Sequence, residues 1–430
     1  MKKILIIAHP FLPFDEGGSV VRVMKFLKYL PEFKWRPVVL TVRDNSVNSP
    51  SAWAAFDNLR ATIRVHRAFC LNLLSRCKYR SYKTNKAAKR SYPGDLRKEK
   101  RFSGRWSRVV HPWFLFPDTA IEWLPFGLIK ACSVMQKEGV DIIFSTSPYT
   151  TNHIIGLLLK KLFDKPLVVD FRDKWEYSFL KYPTHFHKIL NEFLEKKVLM
   201  AADKIIVVSE PMRKDILERY QFLSTKKIEV ITNGFDPDDF LDVKIKAHDK
   251  FTITHAGTFH RPPKVFLKAI KSLINEKPEL KNHFRIVFVG SFSADLIRSI
   301  KVTQLEDMVE VVPFVAHRRS IGYILNSDLL LVIPGPGIET ITGKVFEYIA
   351  SGKPILALAD PGACASLVKE TRSGYVVDPC DIDAIKNAVW QSYLSYKSKN
   401  LNPDSRTLEI SRFHRRNLTK ELAGTLNSLL

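Results

Sequence analysis

The chain has 430 residues, 45% hydrophobic and 26% charged, which is enough for two ordinary domains that each bury a core. Its formal net charge of +23 favours anionic partners: phosphorylated substrates, an acidic membrane surface or nucleic acid. No apolar run approaches the roughly 18 residues of a membrane span, and five irregularly spaced cysteines fit a reducing cytoplasm better than a zinc pattern or a disulfide framework.

The opening KKILIIAH has an apolar run of only about six residues that stops at His9-Pro10, so it reads as a buried first strand and not as a signal peptide. WRPVVLTV, ATIRVHR, DIIFSTS, PLVVDF and KIIVVS follow as strand candidates. They alternate with helical patterns, which argues for a parallel sheet covered by helices. The first helix, within GSVVRVMKFLKYL, has Val20, Val23, Met24 and Leu27 at core spacing and Arg22 on another face. Gly17 and Gly18 before it allow close approach of backbone to a ligand, although a plain strand-to-helix turn explains them as well. Their spacing fails G-x-G-x-x-G, so a nicotinamide fingerprint is not supported.

From Arg76 to Arg108 Lys and Arg dominate, with Asp95 and Glu99 as the acids and Tyr79, Tyr82, Tyr92, Phe102 and Trp106 interleaved; HPWFLFPDTAIEWLPFG follows. A solvated loop explains such a run. The functional reading is a surface arm, spanning 76–123, that meets anionic lipid headgroups. An RNA-binding arm fits the composition, but no nucleic-acid module accompanies it and nucleic acid is not the expected partner.

STSPYTTNHIIG and DFRDKW lie at the carboxyl ends of strand candidates, where open α/β folds bind ligands. Asp170 and Arg172 have the alternative of pairing only with each other, and His153 that of a satisfied histidine on a helix face. ITNGFDPDDFLDV is an acidic turn broken by proline, ordinary loop chemistry that does not call for a metal. The second half restarts with FTITHAGTFHRPPKVFLKAIKSLI: a strand, a turn at Gly257 and Thr258, then Arg261 and Lys264 at the start of a helix. Two such cations suit a diphosphate, Arg as a bidentate fork and Lys as a point charge. FRIVFVG, MVEVVPFV and SDLLLVIP continue the alternation.

The organising stretch is PGPGIETITGKVFEYIASGKPILAL, Pro334 to Leu358. It reads as a loop, a helix starting near Thr342 and Gly343 and ending at Gly352, and a buried strand. Glu339 and Glu347 are separated by seven residues, one on the loop and one a turn into the helix. Ionised carboxylates each accept hydrogen bonds from neighbouring hydroxyls, as a sugar and a ribose present, and the helix-start amides beside Lys344 favour a phosphate between them. A surface pair between Lys344 and Glu347 is the alternative. The tail ISRFHRRNLTKELAGTLNSLL is an amphipathic helix.

Glu339, seven residues, then Glu347, within Gly-Lys-x-x-Glu-Tyr-x-Ala-x-Gly-x-Pro, resembles the donor motif of the retaining GT-B glycosyltransferases of family 4. The glycine loop at 17–18, the Asn-Gly-x-Asp crossing and DFRDKW, with Lys174 where the family's polysaccharide-building branch has proline, extend the likeness over nearly the whole chain. The resemblance implies an α/β fold of two Rossmann-like domains whose parallel sheets face across a cleft, which closes to exclude water. It implies an acceptor domain at 1–240 with the helix at about 406–430 packing back on it, and a nucleotide-sugar domain at 241–405. Glu339 then faces the donor sugar, Glu347 holds the ribose, and Arg261 and Lys264 take the diphosphate, with Lys344 competing for that role. Gly257, Thr258 and Gly343 complete the donor pocket, and Val315, in a strand-end loop at 312–316, lies on the base. Gly17, Gly18, Arg22, His153, Arg172 and Asp173 lie on the acceptor side. The implied reaction is retaining transfer from a UDP- or GDP-linked sugar to a lipid-linked or polysaccharide acceptor. It needs no cofactor beyond that co-substrate and no metal. The implied place is the cytoplasmic face of a bacterial membrane, held there peripherally by anionic lipid. A sugar-nucleotide epimerase of the same fold and a non-enzymatic anionic-polymer binder are the alternative functions.

Overall fold

The computed structural model describes residues 1–9, 11–12, 18–43, 63–71, 115–175, 184–245, 248–259, 262–335, 337–398 and 410–430. The chain divides into two compact units, Met1–Thr232 with Leu418–Leu430, and Asn233–Asn417.

The first unit contains β1 (Lys2–Ile7), α1 (Gly18–Tyr29), β2 (Trp35–Val42), β3 (Arg64–Ala68), α2 (Leu124–Glu138), β4 (Ile142–Thr146), α3 (Thr150–Phe163), β5 (Leu167–Phe171), α4 (His185–Ala201), β6 (Lys204–Val207), α5 (Glu210–Arg219) and β7 (Ile228–Val230). Among the described residues its sheet has seven strands, in the order β3-β2-β1-β4-β5-β6-β7, all parallel. The inner strands β1, β2, β4, β5 and β6 are buried along most of their length because both faces of the sheet are covered, whereas the edge strand β3 carries Arg64, His66 and Arg67. Leu5 and Ile7 of β1 belong to one core layer with Val134 of α2 and Ile155 of α3. Ile4 and Ile6 belong to the other, with Val20, Val23 and Leu27 of α1 and with Leu418, Leu422 and Leu426 near the chain end.

The second unit contains β8 (Phe251–Ala256), α6 (Lys264–Glu276), β9 (Phe284–Val289), α7 (Ala294–Thr303), β10 (Val309–Val312), α8 (His317–Leu325), β11 (Leu329–Val332), α9 (Gly343–Ala350), β12 (Ile355–Leu358), α10 (Ala363–Glu370), β13 (Gly374–Val377) and α11 (Ile382–Lys397); a last helix, α12, runs Arg415–Asn427. The parallel sheet has the order β10-β9-β8-β11-β12-β13. In both units the order reverses beside the first strand, and in this doubly wound arrangement the crevice outside the strand ends at the reversal is where ligands bind.

The unit boundary falls at Thr232/Asn233, eight residues before the expected 240. Phe235 is the reason: it is buried in the second unit's core, its N–H donates to Phe413 O at 3.0 Å, and its carbonyl accepts from Arg415 N at 2.8 Å. The return crossing is at Asn417/Leu418, so residues 410–417 stay with the second unit. The short strands β7 and β13, three and four residues at sheet edges, have too few positions for a readable periodicity. At β13 the backbone itself sets the sequence. Gly374 has φ 157°, and a Cβ there would lie 2.0 Å from Ile355 O.

Candidate functional site

In the second unit the reversal lies between β8 and β11. Beyond β8 the chain turns at Gly257 (φ 132°), whose N–H donates to Val289 O at 2.7 Å. A Cβ on Gly290 would sit 2.5 Å from Gly257 O, so both turns depend on glycine for their close approach. A Cβ on Gly257 would itself lie 2.9 Å from Lys344 Cε. The Lys344 stem therefore lies directly across the turn that ends β8. Thr258 follows, exposed, and Lys264 opens α6 with an exposed side chain.

Helix α9 starts as expected. Thr342 caps it, its Oγ1 accepting from Lys344 N at 3.4 Å, and a side chain on Gly343 would meet nothing within 4 Å. Tyr348, fully buried, accepts the Ala256 N–H on its hydroxyl at 2.8 Å and so ties α9 to the end of β8. Glu339 is buried on the preceding loop. That loop is pinned to α10, since Ile338 O accepts from Ala363 N at 2.6 Å and only a glycine at 362 leaves room for it.

Glu347 does not pair with Lys344 on the surface. It is buried, and its Oε1 lies 2.8 Å from His317 Nε2, while Oε2 is buried with no hydrogen-bond partner. Burial disfavours the carboxylate, but His317, Lys344 and Arg415 outweigh it and bring the pKa down to about 2. Burial likewise opposes the charge on His317. Glu347 and Asp239, whose Oδ2 is 3.9 Å from His317 Nδ1, outweigh that and Lys344, and raise the imidazole above its usual value. His317 was missed by the sequence reading. It stands one residue beyond the loop at 312–316 that holds Val315, half-buried at the end of β10.

The signs fix a pH window. Glu347 has a lowered pKa, so its contribution is complete above the ordinary value of 4.5 and is lost as pH falls toward about 2. His317 has a raised one, so its contribution is complete below the ordinary 6.5 and is lost as pH rises through the folded value. Urea denaturation of the wild type is therefore expected to show stability falling as pH climbs above neutrality. His317→Gln should lower stability by about 2 kcal/mol near pH 6 and flatten that fall. An unchanged slope in the variant would exclude the pair as its source.

In the first unit Arg22 is not on an open face. It is fully buried, pairs with Asp170 at 3.0 Å and donates to Ile231 O (2.8 Å) and Thr232 O (2.6 Å). Asp170 also accepts from Thr146 Oγ1 at 2.7 Å, so it pairs with Arg22 and not with Arg172. This corrects the assignment of Arg22 to the acceptor side: every direction around it is committed to protein. Arg172 and the Ser-Pro loop are joined, Arg172 N donating to Ser147 Oγ at 2.8 Å, and Asp173 is exposed next to them. Lys174, in the place of the family's proline, pairs with Asp215 of α5 at 3.1 Å.

His153 is buried on α3. Its Nδ1 lies 2.8 Å from Ser145 Oγ, its ring stacks 6.1 Å from Trp175, and Nε2 has no partner. Burial pushes its pKa down to about 4, leaving a neutral imidazole. The start of α3 is held by Asp118, which accepts from Thr150 Oγ1, Thr151 Oγ1 and Thr151 N within 2.8 Å, a clamp that the sequence reading also missed. Gly18 is the first residue of α1. Gly17, Arg261 and residues 72–114 of the basic segment lie outside the described residues.

The family models agree with this architecture. Glycosyltransferase Family 4 matches residues 88–239 and Glycosyl transferases group 1 matches 239–401. A D-inositol 3-phosphate glycosyltransferase of Nocardioides sp. is 24% identical over 260 residues, 51% of this chain and 56% of the relative. The chain spans about half the length of the curated relatives it matches. Among solved structures, Anabaena HepE in complex with UDP and glucose superposes with a TM-score of 0.65 at 17% identity, covering 100% of both chains. WaaG, a glycosyltransferase involved in lipopolysaccharide biosynthesis, does so with 0.60 at 12% identity, covering 98% of this chain and 99% of that one. At these identities the likeness is one of fold. With two doubly wound parallel sheets and both family models matched in register along the sequence, the chain belongs to the GT-B glycosyltransferases of family 4, group 1.

Proposed function

We propose that the protein transfers a sugar from a nucleoside-diphosphate sugar to a hydroxyl of a lipid-linked or glycan acceptor, with retention at the anomeric carbon. The observation that carries this reading is Glu347: an ionised carboxylate at the reversal of the sheet, with one oxygen spent on His317 and the other buried without a partner. Such an oxygen is a costly group to leave unpaired, and a ribose hydroxyl is the donor that satisfies it. Lys344, lying over Gly257, and Lys264 at the start of α6 then take the diphosphate together with Arg261. Glu339 takes the sugar hydroxyls. In HepE the bound molecules are UDP and glucose, which favours a uridine nucleotide over a guanosine one.

In this reading the bond from the anomeric carbon to the β-phosphate oxygen breaks as the acceptor oxygen bonds on the same face. The acceptor proton passes to the departing phosphate, and no covalent nucleophile is assigned. The lysines act by stabilising charge that grows on the diphosphate as it leaves. Arg172, Asp173 and the neutral His153 are proposed for the acceptor. Among the described residues no helix is long and apolar enough to cross a membrane.

A thermal-shift panel of UDP- and GDP-sugars tests the proposal. The correct donor at 100 times its dissociation constant should add about 2.7 kcal/mol of stability, and NMR of the product should show the donor's anomeric configuration. A panel with no response would refute the donor site; an inverted product would refute retention.

A further inference from the structure

Helix α4 buries one face, part polar and part apolar, and exposes an apolar stripe on the other. The inner one carries His187, Asn191, Val198 and Leu199. It is fixed in place by Trp175 Nε1 donating to Asn191 Oδ1 at 3.0 Å, and by buried Glu195 accepting from Arg219 and from the Tyr220 hydroxyl at 2.8 Å. On the outer face Phe186, Ile189, Phe193 and Met200 are 62, 53, 51 and 52% exposed. At 3.6 residues per turn these four fall in a stripe roughly 60° wide, turned away from the buried side. Lys196 and Lys197 border the stripe, one on each side. Lys197 Nζ lies 5.2 Å from the Phe193 ring centre, and Lys196 Nζ lies 5.7 Å from that of Phe222, which is itself 49% exposed. Lys227 joins the last turn, donating to Met200 O at 3.0 Å. Glu192, the exposed acid on this part of the helix, is within 3.8 Å of Lys188.

The outward face of an anchored helix is ordinarily polar. A stripe of Phe, Ile and Met with lysines on both borders has the pattern of a helix lying in a bilayer interface, its apolar side chains among acyl carbons and its lysines reaching the phosphates. A second copy of the chain fits poorly, because it would set these lysines against their own equivalents on a protein of net charge +23. We infer that the outer face of α4 seats the protein on an anionic lipid bilayer. This deepens the lipid-linked acceptor reading above, and it puts a membrane contact on a packed helix.

Flotation of the full chain with vesicles of phosphatidylglycerol and phosphatidylcholine, against phosphatidylcholine alone, reads the partition. The wild type should float with the anionic vesicles and leave them as salt rises. Lys196→Gln with Lys197→Gln should weaken partition about fivefold per lysine, and Ile189→Glu with Phe193→Glu by at least tenfold. Thermal stabilisation by UDP, measured on the same samples, should be equal in all of them. Loss of UDP stabilisation in the wild type would count against the donor reading and leave the membrane face standing. Equal flotation of wild type and both double variants, or no preference for anionic vesicles, would overturn the inference. So would a dimer, seen by light scattering, that Ile189→Glu with Phe193→Glu dissociates without altering flotation.

Discussion

Glu347→Ala is expected to abolish the thermal stabilisation given by UDP or a UDP-sugar and to lower transfer by about two orders of magnitude. The carboxylate is the only group on its face of α9 that combines full charge with an oxygen left without a partner. Hydrogen bonds from ribose hydroxyls to a charged acceptor in a buried place contribute about 1.5–3 kcal/mol each, so losing two removes at least 3 kcal/mol of binding. The empty protein should lose about the 2 kcal/mol expected of His317→Gln, because alanine removes the same contact, and it should still fold, since Tyr348 ties α9 to the end of β8 through Ala256. Isothermal titration with UDP, beside a urea midpoint for the free protein, separates the two. Full UDP affinity in the variant would dismiss the ribose role. A collapse of the free protein would mean that Glu347 serves the fold, not the ligand.

Arg22→Met is expected to cost about 3–5 kcal/mol of stability in the first unit. The guanidinium is fully buried and donates to Asp170 and to the carbonyls of Ile231 and Thr232, where the chain leaves that unit. Removing it strands a buried carboxylate and two carbonyls, and stranding one partner of a buried pair is far more damaging than replacing both. Arg22→Met with Asp170→Asn should therefore recover a large part of the loss. Trp35, Trp123 and Trp175 are all buried in this unit, so tryptophan emission follows its unfolding. A neutral single variant would show that the ion pair is not what fastens α1 to β5.

The alternation of apolar runs and helices was readable because buried parallel strands are apolar on both faces and need no tertiary partner to be recognised. The α9 segment was readable for a related reason: its cap, its glycine stop and its apolar face are all local. Arg22 and His317 were misread or missed because what they do depends on residues 148 and 30 positions away. Composition places Arg22 on a surface, since arginine is rarely buried unpaired, and nothing near it in the chain names Asp170 as the partner. His317 looks like one more basic residue before Arg318 and Arg319 until β10 and α9 bring it to Glu347.

Fold class, two-domain order and the pair of acidic positions at 339 and 347 belong to the sequence alone, because periodicity, caps and turn glycines are interactions between near neighbours. The strand order, with its reversal between β8 and β11, came only with the tertiary structure. So did the folding of Lys344 over Gly257, and the division of Glu347 into one oxygen bound by His317 and one buried without a partner. Each of these is a contact between distant segments, and its energy exists only once the sheet has set those segments side by side.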